Sequence, residues 1–135
     1  MAFRTNFIFI MTWQTIVGGV SGACSVGMGA YGAHGLKSVQ GSPYRASYES
    51  ANRYHLVHSM LLAASPAIAA ASAKGTSRGR FAANVAGGFL TAGIAAFCGS
   101  CYVVGLTEDK TYGKAAPAGG ISLMAGWLAL AVLRR

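Results

Sequence analysis

The sequence predicts an all-α protein, a membrane four-helix bundle with a short interfacial helix between spans one and two. Three observations carry this. Four apolar stretches fill most of the 135 residues, at 13–31, 55–73, 81–106 and 115–133, and none contains Lys, Arg, Asp or Glu. Each is close to the ~20 residues a helix needs to cross ~30 Å of hydrocarbon. Charged residues make up only 10% of the chain and hydrophobic ones 53%, with mean hydropathy +0.45, whereas a soluble domain carries about 25% charge. A water-soluble chain of 13.8 kDa has too much surface for its volume to hide that much apolar area. Residues 1–135 are read as one integral membrane domain.

The first span is rich in glycine (Gly18, Gly19, Gly22, Gly27, Gly29, Gly32). Gly18 with Gly22, and Ala23 with Gly27, are small-xxx-small pairs of the kind that lets a second helix approach closely in lipid. Between the first two spans, Ser42-Pro43 reads as a helix start, Ser42 as N-cap and Pro43 in the first turn. Tyr44, Tyr48, Ala51, His55 and His58 then share one helical face, and Arg45, Glu49 and Arg53 another, spaced to pair weakly. The segment is expected to be interfacial, with a Tyr face, and to run into the second span.

Pro66 removes one ladder hydrogen bond from the second span and should kink it near Leu62, whose freed carbonyl Ser65 or a neighbouring chain could satisfy. In the third span Ala83, Gly87, Gly88, Ala92, Gly93 and Ala96 repeat the small-residue device. The short charged stretch from Thr107 to Lys114 makes the third and fourth spans an antiparallel hairpin, with Pro117 in the first turn of the fourth helix. Trp127 lies too near mid-span for an interfacial belt and is expected to pack.

Eleven Lys and Arg against three acids give a net charge of +8. Nucleic acid is excluded as a partner, because the cations cap the ends of the apolar runs instead of gathering on one soluble face. They are expected to sit among lipid phosphates. Arg78, Arg80, Arg134 and Arg135 fall on one side and are the expected lipid-contact residues, cardiolipin being one lipid such basic pockets hold. With four spans, one side carries Arg4, Lys74, Arg78, Arg80, Arg134 and Arg135, and the other Lys37, Arg45, Arg53, Lys110 and Lys114. That narrow excess favours termini on the cytoplasmic or matrix side. The opening residues have one Arg and no clear cleavage site, so the first span is expected to double as the targeting signal. Cys24, Cys98 and Cys101 lie within spans, where no disulfide framework is expected.

Few residues suggest chemistry. His55 and His58 are spaced i, i+3, and His34 ends the first span at the same membrane surface. Together with Lys37 they form the candidate polar cluster. Such imidazoles could bind zinc or haem iron or handle protons. The reading as interfacial hydrogen-bonding residues outweighs both, and no metal or other cofactor is expected. Cys98-Gly-Ser-Cys101 has CxxC spacing but falls inside an apolar helix, where small buried Cys is common. Asn84, Thr91, Ser100 and Thr107 are expected to make interhelical hydrogen bonds. With no phosphate-binding loop, paired carboxylates or Ser/His/Asp spacing, no catalytic residue and no enzyme activity is expected.

Three stretches carry a family resemblance: Gly29-Ala-Tyr-Gly-Ala-His-Gly-Leu-Lys37, Ala51-Asn-Arg-Tyr-His-Leu-Val-His-Ser59, and Ala116-Pro-Ala-Gly-Gly120 leading to Gly126-Trp-Leu-Ala-Leu130. Over roughly residues 15–133 the chain resembles the small four-span membrane proteins called YgdD-like in bacteria and transmembrane-protein-256-like in eukaryotes, and looks more like the eukaryotic branch. The resemblance implies four helices in a membrane and, for that branch, the mitochondrial inner membrane. It brings no catalytic residues, and places His34 and Lys37 in the family's signature stretch. The leading expectation is a small accessory subunit with a structural or assembly role in an inner-membrane complex such as a respiratory one, in contact with membrane lipids and other membrane subunits. The alternative is an oligomeric transporter or proton conductor using His34, His55 and His58.

Overall fold

The structure is a computed structural model that describes residues 12–73 and 77–132. Every regular element among them is helical: α1 (Trp13–His34), α2 (Pro43–Ala73), α3 (Ser77–Gly93), a π-helical turn (Ile94–Cys98), α4 (Gly99–Thr107), a 3₁₀ helix (Lys110–Ala115) and α5 (Ala116–Val132). The elements α3, π turn and α4 follow one another without a break. Four segments, Trp13–His34, Pro43–Ala71, Ser77–Thr107 and Lys110–Val132, are long and apolar enough to cross a membrane. This is the predicted four-span all-α architecture. Arg4, Lys74, Arg134 and Arg135 lie outside the described residues.

Local chemistry sets the helix ends. The Thr12 hydroxyl accepts from the Thr15 amide at 3.4 Å and starts α1. At the other end the Gly35 amide donates to the Tyr31 carbonyl. Gly41, at φ 81°, turns the chain into α2, a backbone region that costs a side-chain-bearing residue about 1 kcal/mol or more. Ser42 caps α2 as expected, its Oγ accepting from the Arg45 amide at 3.2 Å. Asp109 opens the 3₁₀ helix by accepting from the Thr111 amide at 2.8 Å. The Thr111 hydroxyl, and then this amide, hold the Asp109 carboxyl below the usual carboxylate range.

The expected interfacial segment is the first third of α2, continuous with the span. At 31 residues and about 1.5 Å each, α2 reaches ~46 Å, well beyond the hydrocarbon. Its Tyr face does not lie on a lipid surface, however. Tyr48, Ala51, His55, His58 and Leu62 are all buried against the other helices. The helix continues through Pro66, and the Ser65 hydroxyl donates to the Leu62 carbonyl at 2.9 Å, one of the two expected solutions.

α2 is the hub, packing on α1, α3 and α4, while α5 packs on α3 and the π turn. The core runs in three layers. Tyr48, Ala51, Cys98 and Tyr102 form one, Leu62, Leu90 and Leu123 the middle, and Ala86, Ala129 and Leu130 the third. Outward faces are apolar: Val20, Val26, Met60, Phe81, Ile121 and Leu128 are all exposed. α1 is the extreme case. Its buried residues are Gln14, Gly18 and Ser25, while Ile16, Val17, Val20 and Val26 face out. In water this would be inside out. In lipid it is the stable arrangement, because tails are as apolar as Val and the interior is where polar groups find partners.

Small residues permit the close approaches, though not all those predicted. A Cβ on Gly18 would lie 2.5 Å from the Ala63 nitrogen, so α1 and α2 touch backbone to backbone there. Gly87 and Gly93 of α3 are buried as well. The Ala23 and Gly27 pair, by contrast, faces outward, with open space beyond Gly27, as there is beyond Gly88.

The π turn was not predicted. Its closing bond runs from the Gly99 amide to the Ile94 carbonyl. Such a turn bulges the backbone, and Gly119 of α5 sits on the bulge: a Cβ there would run into the Phe97 nitrogen and lie 2.8 Å from its Cα. Ser100 donates to the Ala96 carbonyl, and Ser47 of α2 to that of Cys101 at 3.3 Å. Overpacking typically costs about 1–3 kcal/mol. Gly119→Ala is therefore expected to lower unfolding stability in detergent by that order, while Gly88→Ala leaves it unchanged or raises it slightly. Equal effects of the two would contradict this packing.

Candidate functional site

The polar residues of the spans gather where α1, α2 and α4 meet. Tyr102 of α4 projects toward α2, its ring edge-on to Tyr48 with centroids 4.9 Å apart. The Tyr102 hydroxyl receives the Asn52 Nδ2 at 3.1 Å and lies 3.2 Å from His55 Nδ1. The other His55 nitrogen, Nε2, is 2.9 Å from Ser21 Oγ, which is 2.6 Å from Ser59 Oγ. Asn52 also donates to the Ser25 carbonyl at 2.7 Å, and the Tyr48 hydroxyl to that of Met28 at 2.7 Å.

One assignment of protons satisfies the chain. Asn52 donates to Tyr102, Tyr102 to His55 Nδ1, His55 Nε2–H to Ser21, and Ser21 to Ser59. The imidazole is neutral in this scheme. Were Nδ1 to donate instead, the Tyr102 hydroxyl would be left with no acceptor among the described residues. The tautomer is thus set by the network. The chain stops at Asn52, since an amide does not release one proton and take up another as a hydroxyl or imidazole does.

His58 uses both nitrogens too. Nδ1 donates to the Tyr54 carbonyl at 2.7 Å and Nε2 accepts from Trp127 Nε1 at 3.2 Å. Its ring stacks on Tyr54, 5.6 Å between centroids. Trp127, half exposed, is therefore not an interior packing residue. It lies on the outer face with its indole N–H bound to His58.

The predicted cluster does not assemble. His34 is exposed at the end of α1 and Lys37 in the following loop, while His55 and His58 engage different partners inside. Among the described residues no three His, Cys, Asp or Glu side chains stand close enough to share a metal ion. Both inner imidazoles have their lone pairs engaged. All three cysteines are free thiols. Cys98 is buried in the π turn as a small core residue beside Tyr48 and Tyr102, Cys101 is half-buried, and Cys24 faces outward.

The signature stretch is held by Arg45, which the sequence placed on a face with Glu49 and Arg53 and among the cations expected to meet lipid phosphates. Arg45 turns inward and is 9% exposed. Its Nη2 donates to the Gly32 carbonyl at 3.0 Å, Nη1 to that of Ser38 at 3.3 Å, and Nε to Glu49 at 3.1 Å. The expected Glu49 to Arg53 pairing is longer, at 3.9 Å, with Arg53 largely exposed. A Cβ on Gly32 would lie 2.7 Å from Cε1 of the Tyr48 ring. An open cavity of about 460 Å³ adjoins this anchor, lined in part by Gln40, Arg45, Glu49, Asn52 and Arg53.

The polar residues of the third span divide. Asn84 bonds across helices as expected, accepting from Trp13 Nε1 at 3.1 Å and Gln14 Nε2 at 2.8 Å. Thr91, Ser100 and Thr107 instead donate to carbonyls four residues back in their own helix, the usual retreat of a hydroxyl with no partner opposite. Hydroxyls elsewhere do bond across helices, as Thr15 does to the Ala63 carbonyl and Ser122 to that of Phe89. Arg78 and Arg80 are exposed in the first turn of α3. Sequence reasoning missed Asn52, Tyr102, Ser21, Ser59 and Arg45. Asn52 and Tyr102 carried the only available signal, as large polar groups in helices that must satisfy them internally.

The model of a family described as "Protein of unknown function (DUF423)" matches residues 28–120. A UPF0382 membrane protein of Staphylococcus haemolyticus is 33% identical over 87% of this chain and 90% of its own. One of Staphylococcus saprophyticus is 32% identical over 87% and 92%, and UPF0382 membrane protein YwdK of Bacillus subtilis 30% identical over 87% and 91%. No solved structure matches the chain.

Interhelical hydrogen bonds in membranes average about 0.6 kcal/mol and reach ~1.7. Tyr102→Phe takes a donor from His55 and an acceptor from Asn52. It is expected to lower stability in mixed micelles by roughly 1–2 kcal/mol, and a double-mutant cycle with His55→Phe should show coupling. Strict additivity would mean the contact is not formed.

Proposed function

The chain belongs to the DUF423 family, and from that premise we propose that it is a small integral membrane accessory subunit whose role is structural, packing its helices against other membrane chains in a larger assembly. One observation carries this reading. α1 buries only Gln14, Gly18 and Ser25 among its described residues, and its outward face aligns Gly19, Ala23 and Gly27, spaced by four, with nothing within 4 Å of a Cβ at Gly19 or Gly27. Lipid gives no reason to prefer glycine on an outer face, whereas a neighbouring helix does. Partners in this reading are membrane lipids and other membrane subunits. No catalysis, cofactor or nucleic acid enters it.

The mitochondrial inner membrane and a respiratory-chain host were expected from the eukaryotic side of the resemblance. The matched relatives are bacterial membrane proteins and lend that location no support. The assembly role is therefore proposed for whichever membrane houses the chain.

A second reading, an oligomeric transporter or proton conductor, draws on the bonded chain through His55. The amide end at Asn52 and the exposed position of His34 weigh against it. Proteoliposomes are expected to show no proton flux that His55→Ala lowers; such a flux would favour the second reading over the first.

For the leading reading, the chain extracted in mild detergent is expected to migrate on native gels above monomer size. Gly27→Leu should shift it toward the monomer, while Val26→Leu, on the same exposed surface, should not. Monomeric migration of the unmodified chain would overturn the assembly role.

A further inference from the structure

The open cavity of about 460 Å³ beside Arg45 lies between α1 and the first third of α2. Gly29, Gly32 and Ala33 form its α1 wall, and Glu49, Asn52 and Arg53 stand on the α2 wall. None of them belongs to the α1 face used in the assembly reading. Arg53 is the last charged residue of α2, and residues 54–73 carry no charge. Leu62, in the middle core layer, is about 14 Å further along the helix, and half the hydrocarbon is ~15 Å thick. The cavity therefore sits where head groups meet tails.

Two oxygens on the α2 wall lack a hydrogen-bond donor. The Asn52 amide is oriented by its Nδ2, which donates to the Ser25 carbonyl, an acceptor only, and to Tyr102. Oδ1 is the other end of the group and faces Gly29, where a Cβ would lie 3.0 Å from it. Among the described residues, the unpartnered side-chain atoms sealed from solvent are Gln14 Oε1 and Ser38 Oγ. Asn52 Oδ1 accepts no hydrogen bond and is not one of them, so it opens to the cavity that Gly29 and Asn52 both line. Glu49 presents the second oxygen. Arg45 Nε holds Oε1 at 3.1 Å, while Oε2 meets only Arg53 Nη2 at 3.9 Å, too far for a hydrogen bond. Residues three apart on a helix face the same side with ~5–6 Å between Cβ atoms, a gap that one ammonium group can bridge. Each Arg45 nitrogen already donates within the protein. Arg53, with its side chain 77% exposed, is the cation left for a ligand.

Toward the membrane interior the walls turn apolar. Val26 precedes Gly29 and Ala33 on one side of α1, and Leu56 and Met60 follow Arg53 on one side of α2, at spacings of three and four. Val26, Leu56 and Met60 are all exposed. The groove thus offers two acceptors, a cation and an apolar track, at the depths where a phospholipid carries its head group, phosphate and acyl chain. We propose that it binds one phospholipid with a primary ammonium head group, the ammonium on Glu49 Oε2 and Asn52 Oδ1, the phosphodiester on Arg53 and an acyl chain along Val26, Leu56 and Met60. Phosphatidylethanolamine is the simplest lipid of this class. Arg53 supplies charge, which any phospholipid would satisfy. The two acceptors supply discrimination, because they call for N–H groups that a choline head group lacks.

Native mass spectrometry of the full-length chain in detergent tests this with lipids of identical acyl chains. The probes are phosphatidylethanolamine, its N-methyl and N,N-dimethyl derivatives, phosphatidylcholine and phosphatidylglycerol, with glycerophosphoethanolamine as the free head group. Phosphatidylethanolamine is expected to be retained about tenfold better than phosphatidylcholine, the scale of a hydrogen bond to a charged group made or lost. The fall should come between the N-methyl lipid, which keeps two N–H groups for the two acceptors, and the dimethyl lipid, which keeps one. Glu49→Gln, which leaves an oxygen for Arg45, should bring phosphatidylethanolamine down toward phosphatidylcholine and leave the latter unchanged. Arg53→Gln, at an exposed site, should weaken both lipids alike. Equal retention of the two by the unmodified chain would overturn the proposal without any variant having to fold. Stronger retention of phosphatidylglycerol than of phosphatidylethanolamine would overturn it too, by making the groove an anion site. So would displacement of the lipid by an equal concentration of glycerophosphoethanolamine, which would assign the site to a soluble zwitterion.

Discussion

A hydrogen-bonding group inside a bilayer has no water to turn to, and the rest of this molecule follows from that. Backbone groups solve the problem by forming helices. Side chains solve it by facing inward, so the interior collects Gln14, Ser25, His55, His58, Ser59 and Ser65, while Val20, Val26 and Leu128 are left outside. The core is held as much by small residues and hydrogen bonds as by apolar bulk. Leu62, Leu90 and Leu123 form its middle layer, and the layers on either side depend on Ala, Cys and Tyr.

The same constraint explains the irregular backbone. Pro66 frees a carbonyl in α2 and the Ser65 hydroxyl takes it up. The π turn at Ile94–Cys98 disturbs the ladder of the third span, and hydroxyls from Ser100 and Ser47 serve carbonyls beside it. Gly119 then lets α5 lie against the bulged strand of backbone at Phe97. A π turn brings neighbouring side chains out of their regular register. Here it precedes Tyr102, the residue that ties α4 to Asn52 and His55. The irregular turn and the polar network are therefore parts of one arrangement.

At the loop between α1 and α2, charge does what hydroxyls do deeper down. Arg45 is buried and binds two carbonyls as well as Glu49. The ion pair with Glu49, whose side chain is nearly half exposed, adds little. The buried donors to Gly32 and Ser38 matter more, because they fix the path of the signature stretch. His34 and Lys37, which stand out in that stretch by type, are its exposed rim. A structural role for the stretch needs no chemistry from either of them.

Sequence alone determined the four spans and the cap at Ser42, and narrowed the partner of the Leu62 carbonyl to Ser65 or a neighbouring chain, because each depends on residues near in sequence or on the thickness of a bilayer. Which side of a helix faces which neighbour was decided only in three dimensions. Gly18 and Gly27 look alike in sequence, yet one touches Ala63 and the other touches nothing. Asn84 and Thr91 are both polar residues of one span, yet only Asn84 meets donors from α1. His34, His55 and His58 look close when only span ends are counted, yet they do not converge: α1 and α2 are paired so that His55 meets Ser21, thirteen residues down α1 from His34 and about 20 Å away along the helix. The π turn lay beyond reach for the same reason: nothing local in Ile94–Cys98 demands it, and the close seat of Gly119 on Phe97 is a contact between residues far apart in the chain.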